Sequence, residues 1–162
     1  MTSVHIYAVT TTWTGNLGRG TADYSAYERD HRIEAAGKSP IDGSSDPAFR
    51  GDHTRWNPEE LFLASLSTCH MLWYLHLCAR AHICVEDYED NAEGQMVEEV
   101  GGGGRFARVV LSPRISISIG DPERALQLHE EAHRKCFIAN SVVCPVEVRP
   151  VIEAEESRSQ GA

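Results

Sequence analysis

The sequence predicts an α+β fold in which antiparallel sheets pack around one long, buried central helix. Three observations carry that prediction. From Leu61 to Ala79 the chain contains no Asp, Glu, Lys or Arg, which describes a helix with little polar face to offer water. Segments on either side alternate apolar and polar residues at the period of a strand, most strictly in Ile115-Ser116-Ile117-Ser118-Ile119. The order of strands, helix, strands, helix and strand lacks the regular alternation of a βαβ fold. At 162 residues the chain suits one domain, expected over 1–153, with a disordered tail over 154–162.

The central helix has a marked start. Asn57 supplies a capping oxygen, Pro58 fits the first helical position where no N–H is needed, and Glu60 stands where a capping-box carboxylate reaches back. A run this apolar is expected to be buried on nearly all sides. Ser65, Ser67, Thr68, His70 and His76 interrupt it, and its flanks lack the basic asymmetry of a membrane span.

Before that helix, Val4 to Trp13 reads as a strand, Gly15 to Gly20 as a turn, and Thr21 to Tyr27 and His31 to Ala35 as further short strands of an antiparallel sheet. Ile41 to Trp56 is a long loop carrying Arg50 and Arg55. After the helix, Ile83 to Met96 and Arg105 to Ile119 read as two strands joined by a flexible tip at Gly101 to Gly104; neither the following helix nor the Lys-Ser/Thr pair of a phosphate loop is present. Asp121-Pro122-Glu123 opens a second helix running to about Phe137, with Ala125, Ala132 and Cys136 on one face and Leu128 and His129 beside them. Val142 to Ile152 closes the domain as an edge or interrupted strand, because Pro145 and Pro150 withhold donors.

Composition narrows the chemistry. Fifteen Lys and Arg against twenty-four Asp and Glu give a net charge of −9. The basic residues form no stripe, which argues against nucleic-acid binding. Met1 to Tyr7 shows no secretory pattern, so the expected location is the cytoplasm. Five cysteines at 69, 78, 84, 136 and 144 include no Cys-x-x-Cys pair; this is neither a zinc ribbon nor a secreted disulfide framework. In a reducing compartment each thiol either packs or reacts.

Two constellations qualify. His129-Glu130-Glu131-Ala132-His133 matches the H-E-x-x-H pattern that places two imidazoles one helical turn apart. It needs a third zinc ligand, and Glu153 is reached only across a proline-bearing strand, so a zinc hydrolase is the weaker alternative and no metal is assigned. The second constellation is Cys69 with Cys136, both on apolar helix faces. Burial raises a thiol pKa and makes it inert unless a positive group favours the thiolate; spacing alone leaves filler and nucleophile both open.

The segment Asn57-Pro58-Glu59 through Ser67-Thr68-Cys69 resembles the central helix of the OsmC/Ohr family of osmotically inducible and organic-hydroperoxide-resistance proteins. Cys136-Phe137-Ile138-Ala139-Asn140-Ser141 is similar to the family's second-cysteine segment, and Trp13-Thr14-Gly15-Asn16 to a stretch near its start. The resemblance implies an OsmC/Ohr-like fold, an intertwined homodimer with shared sites, and a cysteine-based peroxidase needing no cofactor. Cys69 would attack an organic hydroperoxide and Cys136 would resolve the product as a disulfide, which an external dithiol reductant would reopen. Glu59 matches the glutamate that holds an arginine beside the thiol. By position Arg19 is that arginine, with Arg29 and Arg50 as alternatives. Ten residues of helix span about 15 Å, so Glu59 cannot touch the Cys69 of its own helix and is expected to serve another subunit. Phe62, Leu66 and Trp73, with Leu72, share the Cys69 side and form a candidate apolar substrate pocket. Phe137 departs from the proline that the family's best-known peroxidases carry after the second cysteine. Cys78, Cys84 and Cys144 are expected to pack. The alternative on the same fold is a non-catalytic stress or small-ligand-binding protein.

Overall fold

The computed structural model describes residues 3–154; from residue 155 onward the expected tail lies outside them. Two compact units meet in sequence between Leu61 and Phe62.

The first unit carries a three-stranded antiparallel sheet, β1 (Thr10–Trp13), β2 (His31–Glu34) and β3 (Ile41–Gly43), in that order. Thr11 lies opposite Ile33, and Ile33 opposite Ile41. Two expectations are corrected here. Only the last four residues of the strand expected over Val4 to Trp13 are paired, because β2 offers only four partners. Thr21 to Ala26 forms turns and bends rather than a strand, and Tyr27 makes only an isolated antiparallel bridge to Asn16, since local hydrogen bonds capture the backbone: the Ser25 N–H donates to Asp23 Oδ1 at 2.7 Å, and the Arg29 guanidinium donates to the Tyr24 and Tyr27 carbonyls at 2.9 and 2.6 Å. Among its described residues this unit buries only Gly15, Gly43, Ser44 and Asn57. Val4, Ile6, Tyr7, Val9, Trp13 and Trp56 stay exposed.

Helix α1 runs from Pro58 to Arg80. Its start follows the capping box: the Asn57 N–H donates to Glu60 Oε2 at 3.1 Å and the Glu60 N–H to Asn57 Oδ1 at 2.8 Å. The expectation of burial on nearly all sides is not met. A single stripe of Leu66, His70, Tyr74, Leu77 and Cys78 is buried, whereas Leu72 is 63% exposed. Spacings of four, four, three and one place those five residues along one face.

The second unit holds two three-stranded sheets. β4 (Cys84–Asp90) and β5 (Glu93–Glu98) replace the first expected long strand, and β6 (Gly104–Leu111) and β7 (Pro113–Ile119) the second. The sheet orders are β4-β7-β9 and β5-β6-β8, with β8 at Val146–Val148 and β9 at Val151–Ala154. β8 and β9 run parallel to β6 and β7, and Pro150 separates them. Asp90 fastens the point where the strands change sheet: its carboxylate accepts the Ser112 N–H at 2.7 Å and the Ser67 hydroxyl of α1 at 2.5 Å. The glycine tip is a hairpin turn, and Gly101 and Gly102 adopt φ of +116° and +89°, which side chains with a Cβ disfavour. Helix α2 (Pro122–Lys135) is capped by Asp121 and buries Ala125, Leu128, His129 and Ala132. One core joins the second half of α1 to β7 and α2 through Tyr74, Leu77, Ile115, Ile117 and Leu128. The other joins Leu66 to Val109 and Leu111.

Candidate active site

Cys136 caps the C-terminus of α2 in an extended conformation and is 1% exposed. The turn that follows wraps its sulfur, with the Ala139 N–H donating to Sγ at 3.4 Å, while the Asn140 N–H holds the Cys136 carbonyl at 3.0 Å. The half-buried Cys69 of α1 neighbours this sulfur from the other helix, close enough to act on its titration. Burial pushes the Cys136 thiol up from its ordinary value; the Ala139 N–H opposes, the adjacent Cys69 sulfur adds to the rise, and the Ile138 N–H opposes it weakly. Cys136 therefore stays protonated near neutral pH. Both sulfurs are free thiols.

Aromatic side chains flank the pair. Trp73 meets Phe137 edge-on with centroids 5.7 Å apart and His76 at 5.8 Å, and the Lys135 ammonium lies 5.6 Å above the indole. Leu72, Trp73 and His76 line a surface cavity of about 230 Å³. These positions are three, four and seven residues past Cys69, on its side of α1. Phe137, at the position of the expected proline, is 70% exposed. Phe62 stacks on Phe106 at 4.6 Å. Leu66 is fully buried with Val109 and Leu111, so it supports the wall and offers no open surface.

The first unit holds the other candidate residues. The turn bearing Arg19 is built by the residues before it. The Trp13 indole N–H donates to the Glu28 carbonyl at 2.9 Å, and at Gly15 any Cβ would collide with that carbonyl. Asn16 Oδ1 then accepts the N–H groups of Gly18 and Gly20 at 2.9 and 3.0 Å. Arg19 stands exposed between them. Arg29 is committed elsewhere: its guanidinium sits 4.3 Å from both the Tyr24 and Tyr27 rings. Arg50 is exposed at φ 65°, with its guanidinium 5.8 Å from the Tyr24 ring. Glu60 performs the capping, which leaves Glu59 without a capping task. Arg19 and Glu59 form no ion pair within the described residues. Because α1 is unbroken from Pro58, Glu59 and Cys69 keep their ten-residue, roughly 15 Å separation along it.

The structure thus brings Cys69 near Cys136, and among the described residues Arg19 makes no side-chain hydrogen bond or ion pair. Sequence reasoning missed Asn16 as the organiser of the Arg19 turn; its signal was an Asn directly before Leu-Gly-Arg-Gly. It also missed His70, whose Nε2 lies 3.0 Å from Nδ1 of His129, both rings buried. His129, Glu130 and His133 line a cavity of about 320 Å³. No three metal-ligating side chains converge there or elsewhere among the described residues, and Glu153 pairs with Arg114. Cys78 is core and its thiol is raised by burial, Cys144 packs beside the Leu66 core, and Cys84 departs from expectation by lying exposed, donating to Glu86 at 3.3 Å.

The family of OsmC-like proteins matches residues 51–150. Among solved structures, an OsmC-like protein of unknown function from Vibrio cholerae is 32% identical, with a TM-score of 0.83 over 91% of this chain and 100% of that one. An organic hydroperoxide resistance protein from Elizabethkingia anophelis is 22% identical, with a TM-score of 0.65 over 93% and 99%. That of Bacillus subtilis is 20% identical, with a TM-score of 0.58 over 91% and 98%. No curated protein matches. The motifs at 57–69 and 136–141, the strand and helix order and these matches agree: the chain belongs to the OsmC-like family.

Proposed function

We propose that this protein is a cytoplasmic two-cysteine peroxidase that reduces organic hydroperoxides to alcohols. The observation that carries the reading is the nearness of Cys69 to Cys136, sixty-seven residues apart in sequence, with Trp73 and Phe137 in edge contact beside them. The Cys69 thiolate attacks the terminal peroxide oxygen, the O–O bond breaks, and the departing alkoxide takes a proton to become the alcohol. Cys69 is left as a sulfenic acid. Cys136 then loses its proton, the sulfur attacks Cys69, the S–S bond forms, and the hydroxyl leaves as water. The Ala139 N–H already faces the Cys136 sulfur and stabilises the negative charge it acquires at that step. An external dithiol returns both thiols to the reduced state. The apolar surface of Leu72, Trp73 and Phe137 favours alkyl or aryl peroxides over hydrogen peroxide.

The catalytic charge comes from Arg19, held by Glu59. Since Glu59 stands a helix length from the Cys69 of its own chain, the pair acts across a homodimer. The exposed apolar residues of the first unit and of α1 support that assembly. Steady-state reduction of cumene hydroperoxide with dithiothreitol tests the reading. Turnover lost in Cys69→Ser is expected and, with dithiothreitol left out, Cys136→Ser is expected to consume one equivalent of peroxide and hold a trapped sulfenic acid. Undiminished turnover in Cys69→Ser, or none in the unaltered protein, would contradict it and favour a binding protein.

A further inference from the structure

Resting on the thiol-pair reading, we infer that the hydrogen bond between His70 and His129 is a register pin that keeps Cys69 and Cys136 opposite each other. These two are positioning residues. Among the described residues, theirs is the one side-chain hydrogen bond that joins the bodies of α1 and α2. His70 follows Cys69 directly. His129 precedes Cys136 by seven residues, which is close to two full turns, so the two share a face of α2 about 10.5 Å apart. Sliding α2 by one residue would displace it by about 1.5 Å and rotate the face by about 100°, separating the sulfurs. The pin opposes that slide from both sides: Nε2 and Nδ1 meet at 3.0 Å, the rings are nearly parallel at 11°, and Tyr74 of α1 stacks on His129 with centroids 3.8 Å apart.

The polar pair is an expensive way to fill this space. His70 and His129 are 0% and 2% exposed, and the far nitrogens, His70 Nδ1 and His129 Nε2, are buried without partners. Two apolar side chains would bury the same volume without stranded polar atoms, but would accept more than one register. Burial holds both rings neutral near pH 7, taking His70 to about 4 and His129 to about 3, with His133 lowering the first and His70 the second. Two neutral imidazoles bond only when one donates to the lone pair of the other, a directional demand that packing alone does not make.

The test is the effective concentration of the Cys69–Cys136 pair, measured by equilibration with glutathione, alongside circular dichroism. His129→Phe and His70→Leu keep the space filled and remove the bond; His129→Asn retains a hydrogen-bonding atom near the Nδ1 position. The expected result is native spectra throughout, a fall of at least about tenfold in His129→Phe and His70→Leu, and recovery in His129→Asn to within about threefold of the unaltered protein. If His129→Phe fails to fold, His70→Leu carries the same comparison. An unchanged effective concentration in a folded variant, or an equal fall in all three, would overturn the pin while leaving the thiol reading intact. Absence of any Cys69–Cys136 disulfide in the unaltered protein would overturn the thiol reading and the pin together.

Discussion

Asp90 shows how far one side chain can direct this fold. It accepts the Ser112 N–H at the break between β6 and β7 and the Ser67 hydroxyl of α1, so helix and sheet are fixed at one point. Asp90→Ala is expected to destabilise the protein by about 2–3 kcal/mol, the range for losing hydrogen bonds to a charged group, as measured by urea unfolding. Asn16 acts on a smaller scale. Its two backbone acceptances shape the Arg19 turn on an exposed loop, where water can replace them, so Asn16→Ala should change stability by less than about 1 kcal/mol yet lower peroxide turnover severalfold. His70 and His129 are expected to weaken the fold in acid. Their folded pKa values lie below that of a free imidazole, so between the folded and unfolded values only the unfolded chain binds the proton. The stabilisation is complete above about pH 6.5 and is lost as pH falls toward about 4, at up to about 1.4 kcal/mol per pH unit for each ring. Denaturant midpoints taken from pH 7 to pH 4.5 should follow that slope and flatten in His70→Leu/His129→Phe. His133 of α2 and Tyr74 of α1 face the pair, while Tyr88 of β4 reaches it only through Tyr74.

At the level of elements, the parts read correctly from sequence are those whose causes are local. The starts of α1 and α2 follow from Asn57-Pro58 and Asp121-Pro122, and the turn between β5 and β6 from its glycines. Breaking the capping box by Asn57→Ala should cost about 1 kcal/mol. The splitting of the two long strands was not legible, because the break depends on Asp90 reaching Ser67, twenty-three residues away. The turns over Thr21 to Ala26 were hidden for a related reason: Arg29 draws that backbone out of strand pairing with bonds that propensity does not register. Cys69 and Cys136 were marked by their motifs, whereas the His70–His129 pair spans fifty-nine residues with no motif to join them. The one-sided burial of α1 was also hidden, since an apolar sequence does not say whether its partners lie in the same chain.

For the whole molecule, the first unit is the informative part. It presents ten large apolar residues to solvent, from Val4 to Trp56, and among its described residues buries none. A sheet without a core does not offset its own ordering entropy; in the proposed homodimer a second copy of the chain would cover it. Light scattering should give about twice 17.9 kDa. Shared sites make a sharper statement: mixing inactive Glu59→Ala and Cys69→Ser proteins should restore about a quarter of normal turnover, because each mixed dimer carries one intact site. A site contained in one chain would restore none. The most direct measurement is a proteolytic peptide map after one equivalent of cumene hydroperoxide under non-reducing conditions. A single major cross-link is expected, between the peptides bearing Cys69 and Cys136, with Cys78, Cys84 and Cys144 still free. A cross-link through Cys144 or Cys84, or five free thiols, would contradict it.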